Sequence, residues 1–192
     1  STYPWSTVAS SWTGAQVRVE QPATPLLVAG WVTEQAAARL FPAGTDLPAL
    51  MRRAATRGFR PMPLPVHLEG QVRSAVHRSE TFNVLARLPG AGAHASEAVL
   101  IGGHYDHLGV GTPVNGDSIY NGFLDNASGT AAMLAAAEAF VRSGVHPGRS
   151  ILFMAFAAEE SGLLGSTAFA AAPTLPLKRL AAVLNVDVMN LY

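Results

Sequence analysis

Three apolar runs in the second half of the chain limit what it can fold into: Ala98–Gly103, Ser150–Ala157 and Leu180–Val186. None of them alternates apolar with polar residues. Each therefore predicts a strand buried on both faces rather than one with a wet side. Between the first and second runs lies an Ala-rich stretch to about Ser143, with Asn126 or Ser128 as its cap and Gly144 as its stop. Between the second and third, Leu163–Ala171 predicts a shorter helix. Strand, helix, strand, helix, strand with buried strands implies an α/β fold, a parallel sheet flanked by helices.

The first half reads differently. Gln16–Glu20 and Leu26–Val32 are strand candidates. Thr33 is placed to cap a helix to Phe41, stopped by Pro42-Ala43-Gly44, and Asp46 to cap a second helix through Arg57, ended by Gly58. Pro61-Met62-Pro63-Leu64-Pro65 excludes helix and suits a connector. Val66–Val76 and Thr81–Leu88 alternate like two antiparallel strands, so the expected sheet is mixed but parallel-rich. Gly109–Gly122 is rich in Gly, Pro and Asn and reads as a loop.

Composition removes several functions. With 14% charged residues and 49% hydrophobic ones, the chain calls for a packed core and not for disorder. Its net charge is zero and Lys178 is its single lysine, so no basic surface for nucleic acid stands out, and Arg52-Arg53 reads as a solvated helix face. No apolar run reaches membrane-span length, since Glu138 interrupts the Ala-rich helix. Without cysteine there are neither disulfides nor thiolate ligands. Any metal must be held by His and carboxylate, which favours zinc or another divalent ion at a hydrolytic site.

In a parallel sheet, ligands sit beyond the carboxyl ends of the strands. His104 follows the first apolar run, Glu159 and Glu160 follow the second, Asp187 ends the third, and Asp125 precedes the linking helix. The metal-capable groups of this half thus fall on one sheet edge. In His104-Tyr105-Asp106 the outer residues point the same way in extended backbone, so Asp106 can accept from the second ring nitrogen of a metal-bound His104, or steady its neighbours through water. Adjacent carboxylates at Glu159-Glu160 point in different directions; one can bind metal while the other serves a water as general base. A lone Asp187 at a buried strand end costs several kcal/mol unless it is paired or metal-bound. Asp117 reads as structural, and His107 as a loop or supporting group. His67, His77, His94 and His146 lie outside the cluster. The glycosylation sequon Asn126-Ala127-Ser128 is set aside because of its place beside Asp125.

These residues carry a resemblance. The segments Gly103-His104-Tyr105-Asp106-His107-Leu108-Gly109, Asp125-Asn126-Ala127-Ser128-Gly129, Glu159-Glu160-Ser161-Gly162-Leu163-Leu164-Gly165-Ser166 and Asn185-Val186-Asp187 resemble, in order, the di-zinc exopeptidases of metallopeptidase family twenty-eight. That family includes bacterial aminopeptidases and glutamate carboxypeptidase II-like enzymes. The resemblance implies a zinc-exopeptidase (phosphorylase/hydrolase-like) fold over residues 69–192, and over residues 1–68 the last part of an inserted protease-associated domain. It implies two zinc ions. His104 and Asp187 would bind one, Asp125 would bridge both, Glu160 would bind the second, Glu159 would be the general base, and Asp106 would support the site. It further implies a cis bond at Asp125-Asn126, a peptide substrate, and export to the periplasm or outside the cell.

Two departures stand out. Leu124 takes a position that is acidic or small in many members, and the family's sixth ligand, a histidine, lies downstream of the equivalent of Asp187. The chain thus reads as a piece of a longer protein, incomplete at its C-terminus. The implied activity is that of an aminopeptidase; a carboxypeptidase with the same centre and a non-catalytic peptidase-like binding domain are the alternatives, and oligomeric state is not legible. Little or no activity is expected of this chain by itself. Calorimetric titration with zinc should give unequal binding, tighter at the His104–Asp187 ion than at the Glu160 ion; two equal, tight sites would refute this ligand assignment.

Overall fold

The computed structural model describes residues 4–10, 16–19, 30–67, 69–71, 73 and 75–189. It divides into two compact units. One comprises Ser1–Gln16 with Pro22–His77, the other Val17–Gln21 with Arg78–Tyr192.

The first unit holds three short helices: α1 (Trp5–Ser10), α2 (Glu34–Ala38) and α3 (Leu47–Ala54). The two expected caps are in place. Thr33 Oγ1 accepts from the Ala36 amide at 3.1 Å, and Asp46 Oδ1 from the Ala49 amide at 2.9 Å. Both helices end sooner than expected, because their last turns tighten: Leu40 N donates to Ala37 O, and Thr56 N to Arg53 O. The strand expected at Leu26–Val32 lies outside the described residues up to residue 29, and residues 30–32 are irregular, as are 16–19. No strand forms over the described residues of 66–76 either. Alternation there is a local signal, and a strand also needs a partner for its backbone groups.

The second unit is a four-stranded sheet in the order β1-β5-β2-β6, built from β1 (Val84–Leu88), β2 (Ala98–His104), β5 (Ser150–Phe156) and β6 (Leu180–Asn185). The strands β2, β5 and β6 run parallel, and β1 pairs antiparallel with β5. Helices α4 (Gly129–Ser143) and α5 (Leu164–Ala171) make the connections. The period-two alternation of the central strands sorts the core into two layers. Ala98, Leu100, Leu152 and Met154 pack with Phe169 of α5. Ile151 and Phe153 pack with Met133 of α4, joined by Val99, Ile101 and Phe140. Both layers include ring contacts, Phe140–Phe153 at 6.2 Å between centroids and Phe156–Phe169 at 6.4 Å. This is the α/β fold with a mixed, parallel-rich sheet that the apolar runs predict.

Two expectations need correction. The third apolar run forms β6, but β6 is an edge strand largely exposed to solvent, with Val183 at 57% and Leu184 at 54%. It pairs with β2 on one side, while α4 and α5 pack on the two central strands. The expected loop at Gly109–Gly122 is instead a hairpin of β3 (Gly109–Val114) and β4 (Asp117–Tyr120). Its turn is Asn115-Gly116, with φ of 53° and 88°. Two residues of positive φ match the twist of the flanking strands, which is why Asn-Gly closes tight hairpins. Asp117 Oδ1 accepts from the Ile119 amide at 2.8 Å, a structural role as expected.

Asn126 ties the sheet edge together. Its side chain is buried, and its Nδ2 donates to Val186 O at 2.9 Å and His104 O at 3.4 Å. Its Oδ1 accepts from Gly129 N at 3.0 Å and Val188 N at 3.3 Å. Of the two proposed caps, Asn126 is therefore the one that starts α4; Ser128 Oγ donates back to Leu124 O. A Cβ at Gly129 would run into Asn126 Oδ1 and Val186 O, so this helix start needs glycine. An amide so enclosed cannot accept a glycan. Asn126→Ala should lower the free energy of unfolding by about 3 kcal/mol, because it leaves buried groups without partners. Denaturant unfolding checks this, and a loss below about 1 kcal/mol would contradict it.

Candidate metal centre

The carboxyl ends of β2, β5 and β6 lie side by side, with His104 in register with Phe156 and Gly102 with Asn185. His104, the turn after β5 and the segment after β6 are thereby brought to one edge. The Asp125 turn sits at the same edge, between β4 and α4. It spans Phe123–Ser128, with Asp125 and Asn126 in non-helical backbone, and its Asp125-Asn126 bond is cis, as the resemblance implies.

The His104 ring is 3% exposed. Its Nε2 faces Asp125 Oδ1 at 3.1 Å, Asp187 Oδ1 at 3.4 Å and Glu159 Oε2 at 3.9 Å. That nitrogen is buried and has no hydrogen-bond partner among the described residues. His104, Asp125 and Asp187 present ligand atoms that all lie within 4.8 Å of one another, and so do His107, Asp125 and Glu160. Asp125 belongs to both sets, as a bridging group must. The remaining carboxylate, Glu159, stands at the edge of the first set.

Of the two tasks expected of Asp106, the structure corrects the first, accepting from the His104 ring with its carboxylate, and shows the second in a direct form, without a water between. His104 Nδ1 meets the Asp106 backbone carbonyl at 3.0 Å, while the Asp106 carboxylate is 3.8 Å from that nitrogen. The carboxylate instead accepts from two backbone amides, Glu159 N at 3.0 Å and Glu160 N at 3.2 Å. Extended backbone does bring residues 104 and 106 to one side, but the shorter reach of the carbonyl takes the ring and frees the carboxylate to hold the Glu159-Glu160 turn. That turn starts from Ala158 at φ 52°, and Val188, just after Asp187, has φ 47°. Both are left-handed conformations that branched or β-substituted residues seldom adopt, and such positions gather at functional sites.

Sequence reasoning left His107 as a loop or supporting group, and the structure places it beside Glu160. Its Nδ1 lies 2.7 Å from Glu160 Oε1. The available signal was its spacing, three residues after His104 in the loop that leaves β2. The other histidines stay outside the cluster; His94, for example, meets Glu97 at 3.2 Å.

The electrostatics follow from crowding. Burial pushes the His104 pKa down, but the Asp106 carbonyl and the carboxylates of Glu159, Asp187 and Asp125 outweigh it, and the net shift is upward from 6.5. Burial also pushes Glu159 up from 4.5, with Glu160, Asp187 and Asp106 adding to the rise against the opposing pull of His104.

The family comparison agrees with this geometry. The model of Peptidase family M28 matches residues 83–192. A probable zinc metalloprotease of Pyrenophora tritici-repentis is 38% identical over 47% of this chain and 20% of its own length. A probable leucine aminopeptidase of Trichophyton verrucosum is 30% identical over 61% of this chain and 31% of its own. The leupeptin-inactivating enzyme 1 of Streptomyces exfoliatus is 30% identical over 57% and 23%. A crystal structure of a peptidase M28 precursor from Shewanella amazonensis aligns with a TM-score of 0.47 and 33% identity over 55% of this chain and 22% of that one. The chain spans less than a third of the length of these relatives.

A pH dependence follows for the metal-free chain. Both shifted groups have folded pKa values above their unfolded ones. The stability each contributes is complete below 4.5 for Glu159 and below 6.5 for His104, and is lost as pH rises through the folded value. Metal-free chain should therefore melt at progressively lower temperature as pH rises above 4.5 and on past 6.5, while the stabilisation by added zinc grows in the same direction because zinc competes with those protons. Calorimetric scans with and without chelator check this; a metal-free melting temperature that climbs with pH would contradict it. From residue 83 onward the chain belongs to Peptidase family M28.

Proposed function

We propose that this chain carries the two-zinc centre of an exopeptidase, an aminopeptidase in its intact form. The observation that carries the proposal is His104 Nε2, a buried nitrogen with no hydrogen-bond partner, facing the carboxylates of Asp125 and Asp187. A buried polar atom left unpaired costs about 1–3 kcal/mol, and a divalent ion satisfies it together with both acids. The donor set of His and carboxylate suits zinc. His104 and Asp187 would hold the first ion and Glu160 the second, with Asp125 offered to both.

When bound, zinc lowers the pKa of a water to near neutrality and polarises the carbonyl to be attacked. Glu159 is the residue that would take a proton from an attacking water and return it to the leaving amine. Its position supports this role: its backbone is pinned by Asp106, and its Oε2 lies beside the first ligand set without belonging to it. Desolvation raises its proton affinity, as a proton carrier requires. The leucine aminopeptidases among the relatives support the removal of N-terminal residues from peptides. A carboxypeptidase with the same centre is the second reading. Residues 1–68 as the end of an inserted protease-associated domain, and export from the cytoplasm, belong to the same proposal.

The test uses the intact protein. Metal analysis should find zinc, and an aminoacyl-nitroanilide should be hydrolysed. Glu159→Gln should lower kcat by about 10²–10⁴-fold with zinc content unchanged. Absence of zinc, together with an unaltered rate in Glu159→Gln, would remove the enzyme reading. Release of C-terminal residues instead would favour the carboxypeptidase.

A further inference from the structure

The geometry points to His107 as the positioning residue of Glu160, an assignment that rests on the zinc reading above. Two roles suit an imidazole beside a metal-capable carboxylate: joining it on the ion, or donating a hydrogen bond to it. Distance separates them. Two ligand atoms bound tetrahedrally at about 2.0–2.2 Å from one zinc stand roughly 3.4 Å apart. His107 Nδ1 and Glu160 Oε1 are 2.7 Å apart, inside that spacing and at the length of a charge-assisted N–H···O bond. His104 shows the other pattern, 3.1 and 3.4 Å from Asp125 and Asp187 with no hydrogen bond from Nε2. His107 Nδ1–H therefore donates to Glu160 Oε1 and leaves Oε2 for the ion.

The ring is held where it can do this. Gly122, at φ 63°, comes so close that a Cβ there would stand 2.8 Å from both Cβ and Cγ of His107, and 2.8 Å from the Asp125 carbonyl oxygen. The turn that presents Asp125 thus also backs the imidazole. Glu160 is gripped twice from one loop: its amide by Asp106 Oδ2 and its carboxylate by His107. A carboxylate fixed at one oxygen offers the other in a single direction, which is how groups behind a metal ligand set its affinity.

The test is made on the full chain with ¹⁵N-labelled histidine, with His107→Asn used to assign the ring signals. In chelated wild type, His107 Nδ1 should read as protonated, and zinc titration should leave it so. His107→Asn keeps an N–H donor near the same place and should retain the affinity of the weaker zinc site. His107→Ala, with no donor, and His107→Asp, a possible ligand that repels Glu160, should each weaken that site by about 10–100-fold. The tighter site should be unchanged in all three, which shows that each variant is folded. Loss of the Nδ1 proton on zinc addition, or a His107→Asp variant that binds the second ion better than His107→Asn, would make His107 a ligand and overturn the proposal. If wild type binds no zinc, the metal reading fails, while the metal-free spectrum still decides the hydrogen bond: an unprotonated Nδ1 refutes it.

Discussion

The candidate site depends on one buried amide. The carboxyl ends of β2 and β6 each leave a carbonyl, at His104 and Val186, just where the strands stop pairing. Asn126 meets both with one NH₂ group, and its oxygen receives the first amide of α4 and the amide of Val188. A carboxamide has two donor hydrogens and two acceptor lone pairs, and all four are used. Asp would lack the donors, and a smaller side chain would reach none of the partners. Because Asn126 follows Asp125 directly, the bond network that closes the sheet edge also fixes where the shared carboxylate stands. Thr130 extends it, its Oγ1 donating to His104 O at 2.9 Å.

The same economy recurs one loop away. Asp106 spends its carboxylate on the amides of Glu159 and Glu160 and its carbonyl on the His104 ring, so one residue aligns groups from two strand ends. With the carbonyl accepting at Nδ1, that nitrogen carries the ring proton and Nε2 is left with a lone pair directed at Asp125 and Asp187. A backbone acceptor sets this tautomer as firmly as a carboxylate does.

Much of this was legible in the sequence. Buried strands of a parallel sheet have a plain signature, and two of the three apolar runs are β2 and β5 at the centre of the sheet. The third marks β6 correctly but not its exposure, since an apolar strand looks the same whether or not something covers it. The metal-capable groups were legible because strand ends in such a sheet converge by topology alone. What escaped was set by distances between segments remote in sequence. Asp106 could be paired with His104 by local spacing, but its bonds to Glu159 and Glu160 cross more than fifty positions. His107 read as a loop or supporting group, and its partner Glu160 came into view only when the turn after β5 was placed against it. The Asn115-Gly116 hairpin is a different case, a local signal hidden by reading a Gly-rich segment as irregular.

Charge gives the last constraint. Five carboxylates, those of Asp106, Asp125, Glu159, Glu160 and Asp187, converge on two imidazoles in a chain whose net charge is zero. Like charges held together resist ionising together, and that resistance adds to the raised proton affinities of Glu159, where burial leads, and of His104, where the Asp106 carbonyl is the first cause to raise it. A proton on His104 relieves the cluster but also consumes the lone pair of Nε2, the buried side-chain atom that has no hydrogen-bond partner among the described residues. A divalent cation would relieve it more fully, accepting that lone pair while neutralising two acids at once. The backbone bonds from Asn126 and Asp106 are what keep the acids from moving apart instead. They hold an arrangement that is unfavourable for the carboxylates alone, which is the condition that, on the proposed reading, would favour tight binding of a cation and leave Glu159 free to carry a proton.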